Sequence, residues 1–128
     1  MAEGDGRPDD ARRCFERAWE TRTDPFEAAI AAHYLARHQS SPESVLHWNQ
    51  TALDEALLVE DARKNGLLPS LYLNLGKSLE DLGRPAEARR QYELASASAD
   101  ALGDDGYGRM MRQGIAAGLE RSRAYSGA

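Results

Sequence analysis

The chain has 128 residues, with 16 Lys plus Arg against 21 Asp plus Glu, a formal net charge of −5, and a single cysteine. That length fits one compact domain or a short helical array. Cys14 on its own excludes an internal disulfide framework, no run approaches the ~20 apolar residues of a membrane span, and the opening MAEGDGRPDD lacks the apolar core of a secretory signal, so a cytoplasmic location is expected.

Residues 1–8 offer nothing to bury and are expected to fray, as are residues 126–128. A first helix is expected over 9–22, with Ala11, Phe15 and Ala18 along one side. Asp24 is a good helix cap and Pro25 suits a first helical position, so a second helix starts there, carrying Phe26, Ala29, Ile30, His33 and Leu35. Ser41 and Pro42 repeat that start signal. The helix they open carries Val45, Trp48, Ala52, Leu53, Ala56 and Leu57, and is expected to lengthen through ALLVEDARKNG to a stop at Asn65 and Gly66, completing a hairpin over 25–66.

Pro69 is read as opening the helix that follows. In LYLNLGKSLEDLGRPAEARRQYELA, residues 71–95, Leu71, Leu75, Leu79 and Leu82 recur at helical intervals. Tyr72, Leu75 and Gly76 are surface neighbours on that helix. Glycine inside a helix costs roughly 1 kcal/mol against alanine, so Gly76 implies a neighbour that needs the missing side chain's space. Gly83 follows the last apolar residue as a helix stop, because glycine enters the left-handed region cheaply. Pro85 fits the first turn of the next helix, where Ala88 permits close approach and Tyr92 and Ala95 extend the seam. This second hairpin spans 67–102.

The glycine-rich run 103–108 follows a helix rather than a strand, so it reads as a connector and not as a phosphate loop. Asp104 and Asp105 are too few ligands for a calcium loop. A closing helix is expected over 107–125, with Met110, Met111, Ile115 and Leu119 on its apolar side and Gly114 as a counterpart of Gly76. Residues 1–106 carry a net −8 and residues 107–128 a net +3, which favours docking of the basic closing helix onto the acidic body.

Tyr72, Leu75, Gly76, Leu79, Gly83, Ala88, Tyr92 and Ala95 resemble the anchors of a tetratricopeptide repeat, with Asp100 where the closing proline belongs. Helix 9–22 resembles a second helix of a repeat without its first. Residues 25–57 resemble a degenerate copy, with Ala32 for Gly76, Trp48 for Tyr92, and Ser44 and Thr51 for Ala88 and Ala95. The distance from Ala32 to Gly76 exceeds the ~34-residue period by about ten residues. The resemblance implies an all-α fold of about six helices, a short right-handed superhelix of antiparallel hairpins.

It also implies a concave groove, lined by the first helix of each repeat, that takes an extended peptide or a partner protein. Aligned on Ala32, Gly76 and Gly114, the groove residues are Phe26, His33, Arg37, Leu73, Asn74, Lys77, Asp81, Met111 and Arg112, together with Ala29 and Ile115. Arg37, Asn74, Lys77 and Arg112 are donors on an otherwise acidic chain and would suit a carboxylate-bearing ligand. Asn74 stands where a carboxylate clamp of this family has an asparagine, but Ala29 and His33 stand where that clamp needs Lys and Asn.

Other chemistry is thinly represented. His33 and His38 are not spaced for one helical face, and no His-Glu-x-x-His motif is present, so no metal or cofactor is expected. Cys14, near Arg12, Arg13 and Arg17, reads as a small packed or half-exposed thiol. Trp19 and Trp48 read as seam residues. The basic residues are too few for nucleic acid. The expectation is therefore a non-enzymatic adaptor or scaffold, with contact between copies through Met110, Met111, Ile115 and Leu119 as a possibility. The alternatives are a sensor of a small acidic ligand, or a small enzyme using His33 with Glu80 or Asp81.

Overall fold

The computed structural model describes residues 7–126. These form six α-helices, α1 (Arg7–Glu20), α2 (Pro25–Ala36), α3 (Pro42–Leu57), α4 (Arg63–Asp81), α5 (Pro85–Ala97) and α6 (Gly106–Arg121), with short 3-10 turns at Ala99–Ala101 and Arg123–Tyr125. No strand occurs among the described residues, as the all-α reading expected. The fraying expected over 1–8 falls mostly on residues 1–6, outside the described residues, whereas Arg7 and Pro8 belong to α1. The chain divides into two compact units, Met1–Val59 and Glu60–Ala128.

In the first unit α2 packs against both α1 and α3. Its start is fixed locally: Asp24 is extended and its Oδ1 accepts the Glu27 N–H at 2.8 Å, while Glu27 Oε1 accepts the Thr23 N–H at 3.1 Å. Ser41 caps α3 in the same way through the Ser44 N–H at 3.1 Å. Such caps satisfy amide donors that a helix start leaves without intrahelical partners. The buried side chains are small. Ala28, Ala29, Ala31, Ala32, Leu35 and Ala36 of α2 and Ala52, Leu53 and Ala56 of α3 are all buried. Alanine on both helices lets their backbones approach closely without leaving voids.

The helix expected to reach Gly66 stops at Leu57 instead. The Leu58 and Val59 amides turn back to the carbonyls three residues earlier, at 3.0 and 3.1 Å, which tightens and ends the last turn. A new helix then starts after Ala62, just beyond a turn in which Asp61 Oδ1 accepts the Arg63 N–H at 2.9 Å. Gly66 and Pro69 therefore lie within α4, and Pro69 is fully buried. Their punctuation value is overridden because the helix already starts after Ala62.

In the second unit α4 and α5 form a hairpin through Gly83, whose φ of 75° lies in the left-handed region. The Arg84 N–H bonds Leu79 O at 2.9 Å and the Gly83 N–H bonds Glu80 O at 3.0 Å. That pair of bonds is the Schellman arrangement that satisfies the last helical carbonyls. Pro85 follows at the start of α5. Asp105 caps α6 by accepting the Gly108 N–H at 2.8 Å. At Gly108 a Cβ would stand 2.0 Å from Gly103 O, so the chain can fold back over this turn only with glycine there.

The core of this unit is a leucine row on α4 (Leu71, Leu75, Leu79), with Ala88, Tyr92 and Ala95 of α5 and Ile115 of α6. The Tyr92 ring is at its centre. A Cβ on Gly76 of α4 would lie 2.7 Å from Tyr92 Cε1, and one on Gly118 of α6 would lie 2.6 Å from the same atom. One aromatic ring is thus held between two glycines on two helices. The glycine aligned with Gly76 at the sequence level was Gly114, but Gly114 faces Leu73, with its Cβ position 3.1 Å from Leu73 Cδ2. Gly118 takes the aromatic instead.

Candidate interaction surfaces

The polar centre of the second unit joins all three of its helices. Tyr92 donates its hydroxyl proton to Glu80 Oε1 at 2.5 Å. Arg121 forks onto the same carboxylate, from Nε to Oε2 at 2.8 Å and from Nη2 to Oε1 at 3.1 Å. The Arg121 bond, aided by the Tyr92 hydroxyl, holds the Glu80 carboxyl below its ordinary range in spite of partial burial. Burial and then the Glu80 bond push the Tyr92 hydroxyl up to about 12. Arg121 is correspondingly harder to deprotonate, chiefly because of Glu80. Arg89 of α5 adds a bond from Nη1 to Leu119 O at 2.7 Å, tying down the end of α6. The expected docking of the basic closing helix thus has a specific form: a forked arginine pair and a capped helix end.

On α4, Asn74, Lys77 and Asp81 recur at intervals of three and four and share a face. Lys77 and Asp81 are exposed and paired at 2.6 Å, and Asn74 is half-buried. Leu73 is half-buried against Gly114. Of the groove residues expected on α6, Met111 is half-buried. Arg112 is committed to its own backbone: it donates to Gly103 O at 3.0 Å, Leu102 O at 2.9 Å and Ala99 O at 3.4 Å. Its guanidinium therefore closes the turn before α6 and is held by three carbonyls. Ile115, expected at the groove and at a contact between copies, is buried in the core of its own unit. Met111 and Leu119 are half-buried, while Met110 is 56% exposed with Tyr107 at 49% nearby on the same helix.

In the first unit Phe26 and His33 are half-buried and Ala29 is buried. Burial, and secondarily the neighbouring Arg37 charge, depress the His33 imidazole below its ordinary value. Arg37 is exposed, with its guanidinium 6.0 Å from the Tyr34 ring centroid. It has no carboxylate partner among the described residues.

An aromatic cluster, which sequence reading found only in part, joins α1 to this unit. Phe15 stacks on Tyr34 at 4.8 Å and 10°, and approaches the His38 ring at 5.6 Å. Trp19 meets Trp48 edge-on at 5.3 Å, and Arg22 lies 3.9 Å over the Trp19 ring. The two tryptophans are therefore seam residues, each half-buried. Tyr34 was missed because its helix pattern puts it beside, not on, the alanine face. Cys14 is exposed rather than packed, since the side of α1 that meets α2 is carried by Phe15 and Trp19.

The two carboxylates nominated as partners of His33 are already paired: Glu80 with Tyr92 and Arg121, and Asp81 with Lys77. Among the described residues no group of three or more His, Cys, Asp or Glu side chains is placed to hold a metal ion, and no helix is long and apolar enough to cross a membrane. Compared with protein-family models, curated proteins and solved structures, the chain matches none.

Proposed function

We propose that this chain is a tetratricopeptide-like interaction module, an adaptor or scaffold whose units each offer a surface for an extended peptide or a segment of a partner protein, the outer face of α2 in the first unit and that of α4 in the second. The observation that carries this reading is the Tyr92 ring held between Gly76 and Gly118. Paired notches of that kind let successive helices nest side by side, the packing on which helical-repeat binding surfaces are built. The polar groups at the seam of this unit satisfy one another through Glu80, Tyr92 and Arg121. Chemistry directed outward is left to the exposed Lys77 and Asp81 and, in the other unit, to Arg37.

An acidic peptide suits Arg37 best, because a guanidinium without a carboxylate partner gains a forked, charge-assisted bond on binding. On the surface of the second unit, Lys77 is open to an acidic peptide by exchange of its exposed Asp81 partner, a pair of the kind worth only ~0.3–0.5 kcal/mol. The test is fluorescence polarisation with defined acidic, neutral and basic labelled peptides. Acidic peptides are expected to bind, and Arg37→Glu and Lys77→Glu to weaken them, the former by about tenfold, or ~1.4 kcal/mol. Equal binding of all three peptide classes, or indifference to Arg37→Glu, would remove the acidic-peptide reading. A small carboxylate ligand is the second reading, favoured by the same unpartnered Arg37. Dose-dependent thermal stabilisation by small carboxylates in the absence of peptide binding would select it.

A further inference from the structure

The hairpin of the second unit shows how two helices of this chain fit together. Leu75, Gly76 and Leu79 of α4 and Ala88, Tyr92 and Ala95 of α5 are all buried, and α4 packs on α5 with Gly76 against the Tyr92 ring. That ring is covered from two helices, by Gly76 of α4 and Gly118 of α6, and none of it is exposed.

Each half of this hairpin has a counterpart elsewhere in the chain. On α1, Ala11, Phe15 and Ala18 repeat the spacing of Ala88, Tyr92 and Ala95. Phe15 differs from Tyr92 in its cover. Its partners Tyr34 and His38 lie on α2 and just after it, and the Phe15 side chain stays half-buried. Ala18 is exposed, whereas Ala95 is buried. On α6, Met110, Gln113, Gly114 and Ala117 repeat the spacing of Tyr72, Leu75, Gly76 and Leu79, and offsets of three, four and seven place them on one face. The buried positions of α6 are Gly108, Ile115 and Gly118, on its other side. Gln113 and Ala117 are exposed, and Met110 is 56% exposed. No helix covers that face among the described residues. The chain therefore displays, on α1 and α6, both halves of a joint it has already made between α4 and α5.

We propose that α6 of one copy seats α1 of a second copy, in the way α4 seats α5 within the chain. Phe15 lies beside Gly114, whose other flank is taken by Leu73. Ala11 and Ala18 let α1 approach the row of Met110, Gln113 and Ala117. α1 keeps its footing on α2, so Phe15 becomes covered from two helices, as Tyr92 is. The contact is heterologous: each copy gives α1 and receives on α6, so association does not stop at two copies. The shorter helix has 14 residues, an overlap of about 20 Å. A single helix pair of that length buries less than the ~1,200 Å² of a stable interface, so the association is weak, with a dissociation constant on the order of 100 µM. The Arg37 and Lys77 surfaces take no part in it, and its outcome is independent of whether an acidic peptide binds.

The test is analytical ultracentrifugation of the full chain from about 10 µM to about 1 mM. The average mass is expected to rise with concentration and to pass that of a dimer. Ala18→Arg obstructs α1 and Ala117→Arg obstructs α6. Both positions are exposed, so each variant should keep its fold, as circular dichroism can verify. Each variant alone is expected to associate at least ~10-fold more weakly than the unaltered chain. An equimolar mixture is expected to recover pairing and to stop at one of each, because one variant retains a free α6 and the other a free α1. A chain that stays monomeric over the whole range would overturn the proposal. So would variants that associate as the unaltered chain does, or a mixture no more associated than its components.

Discussion

The ring of Tyr92 fills the space a side chain on Gly118 would need: a Cβ there would sit 2.6 Å from Tyr92 Cε1, 2.7 Å from Cδ1 and 2.7 Å from Cζ. A Cβ on Gly76 would likewise sit 2.7 Å from Cε1 and 2.9 Å from Cδ1, so the same ring also fills the space a side chain there would need. Its hydroxyl is bonded to Glu80 as well, so the ring is fixed along its axis. Three helices thereby share one buried side chain, and the spacing of α4, α5 and α6 is set at that point.

Tyr92→Phe keeps the ring and removes the hydroxyl. Glu80 retains its fork from Arg121, so no carboxylate is stranded. The expected cost is about 1.5–3 kcal/mol, the net value of a hydrogen bond to a charged group, read by chemical denaturation. A loss several times larger would mean that the hydroxyl, and not the ring, organises the unit.

The pH dependence follows from the same group. Tyr92 in the folded chain is raised to about 12 from an ordinary value of 10.0. A raised value means that its contribution to stability is fully present below pH 10 and is lost as pH rises toward 12, because the unfolded chain releases the proton first. Glu80 is shifted the other way, below its ordinary 4.5. Its contribution is present above pH 4.5 and is lost as the pH falls below that value. Unfolding followed by circular dichroism should show both flanks in the unaltered chain. The alkaline flank should flatten in Tyr92→Phe and the acid flank in Glu80→Gln.

Gly108→Ala should be among the most damaging single-methyl changes in the chain. The added carbon would meet Gly103 O at 2.0 Å, and a backbone carbonyl cannot swing aside as a flexible side chain can. A loss of about 2 kcal/mol or more is expected, at the upper end of ordinary point substitutions. The Asp105 cap and the Arg112 bonds to Ala99, Leu102 and Gly103 should be disturbed with it. Faster hydrogen exchange at the start of α6 in this variant is the measurement that checks it.

Sequence signals were most legible where a local interaction decides the outcome. Asp24 with Pro25, Ser41 with Pro42, and Gly83 with Pro85 mark helix ends that depend only on neighbouring residues, and the helices begin and end there. The boundary between α3 and α4 differs from the sequence reading because Gly66 and Pro69 are strong punctuators, whereas the turn before Ala62, where Asp61 accepts the Arg63 N–H, is not conspicuous in a charged run. Gly114 and Gly118 are one helical turn apart on the same face, and only the placement of α6 against α5 decides which of them meets Tyr92. Arg112 looked available because its three carbonyl partners are brought to it by the turn at Ala99–Ala101, which has no hydrophobic periodicity to reveal it. The acidic partner of Arg121 was likewise invisible, since Glu80 lies far away in sequence.

Whether glycine notches set the helix spacing is tested most directly by adding one methyl group at three places and comparing stability by denaturant unfolding. Gly66→Ala in α4 is the reference, because a Cβ there meets nothing within 4 Å, and alanine should stabilise the helix by up to about 1 kcal/mol. Gly76→Ala and Gly118→Ala gain the same helical preference but force a carbon into the Tyr92 ring, and overpacking of that kind costs about 1–3 kcal/mol. Opposite signs are expected, a gain for Gly66→Ala and a loss for the other two. If Gly76→Ala and Gly118→Ala stabilise the chain as Gly66→Ala does, the nesting of α4, α5 and α6 around Tyr92 does not hold.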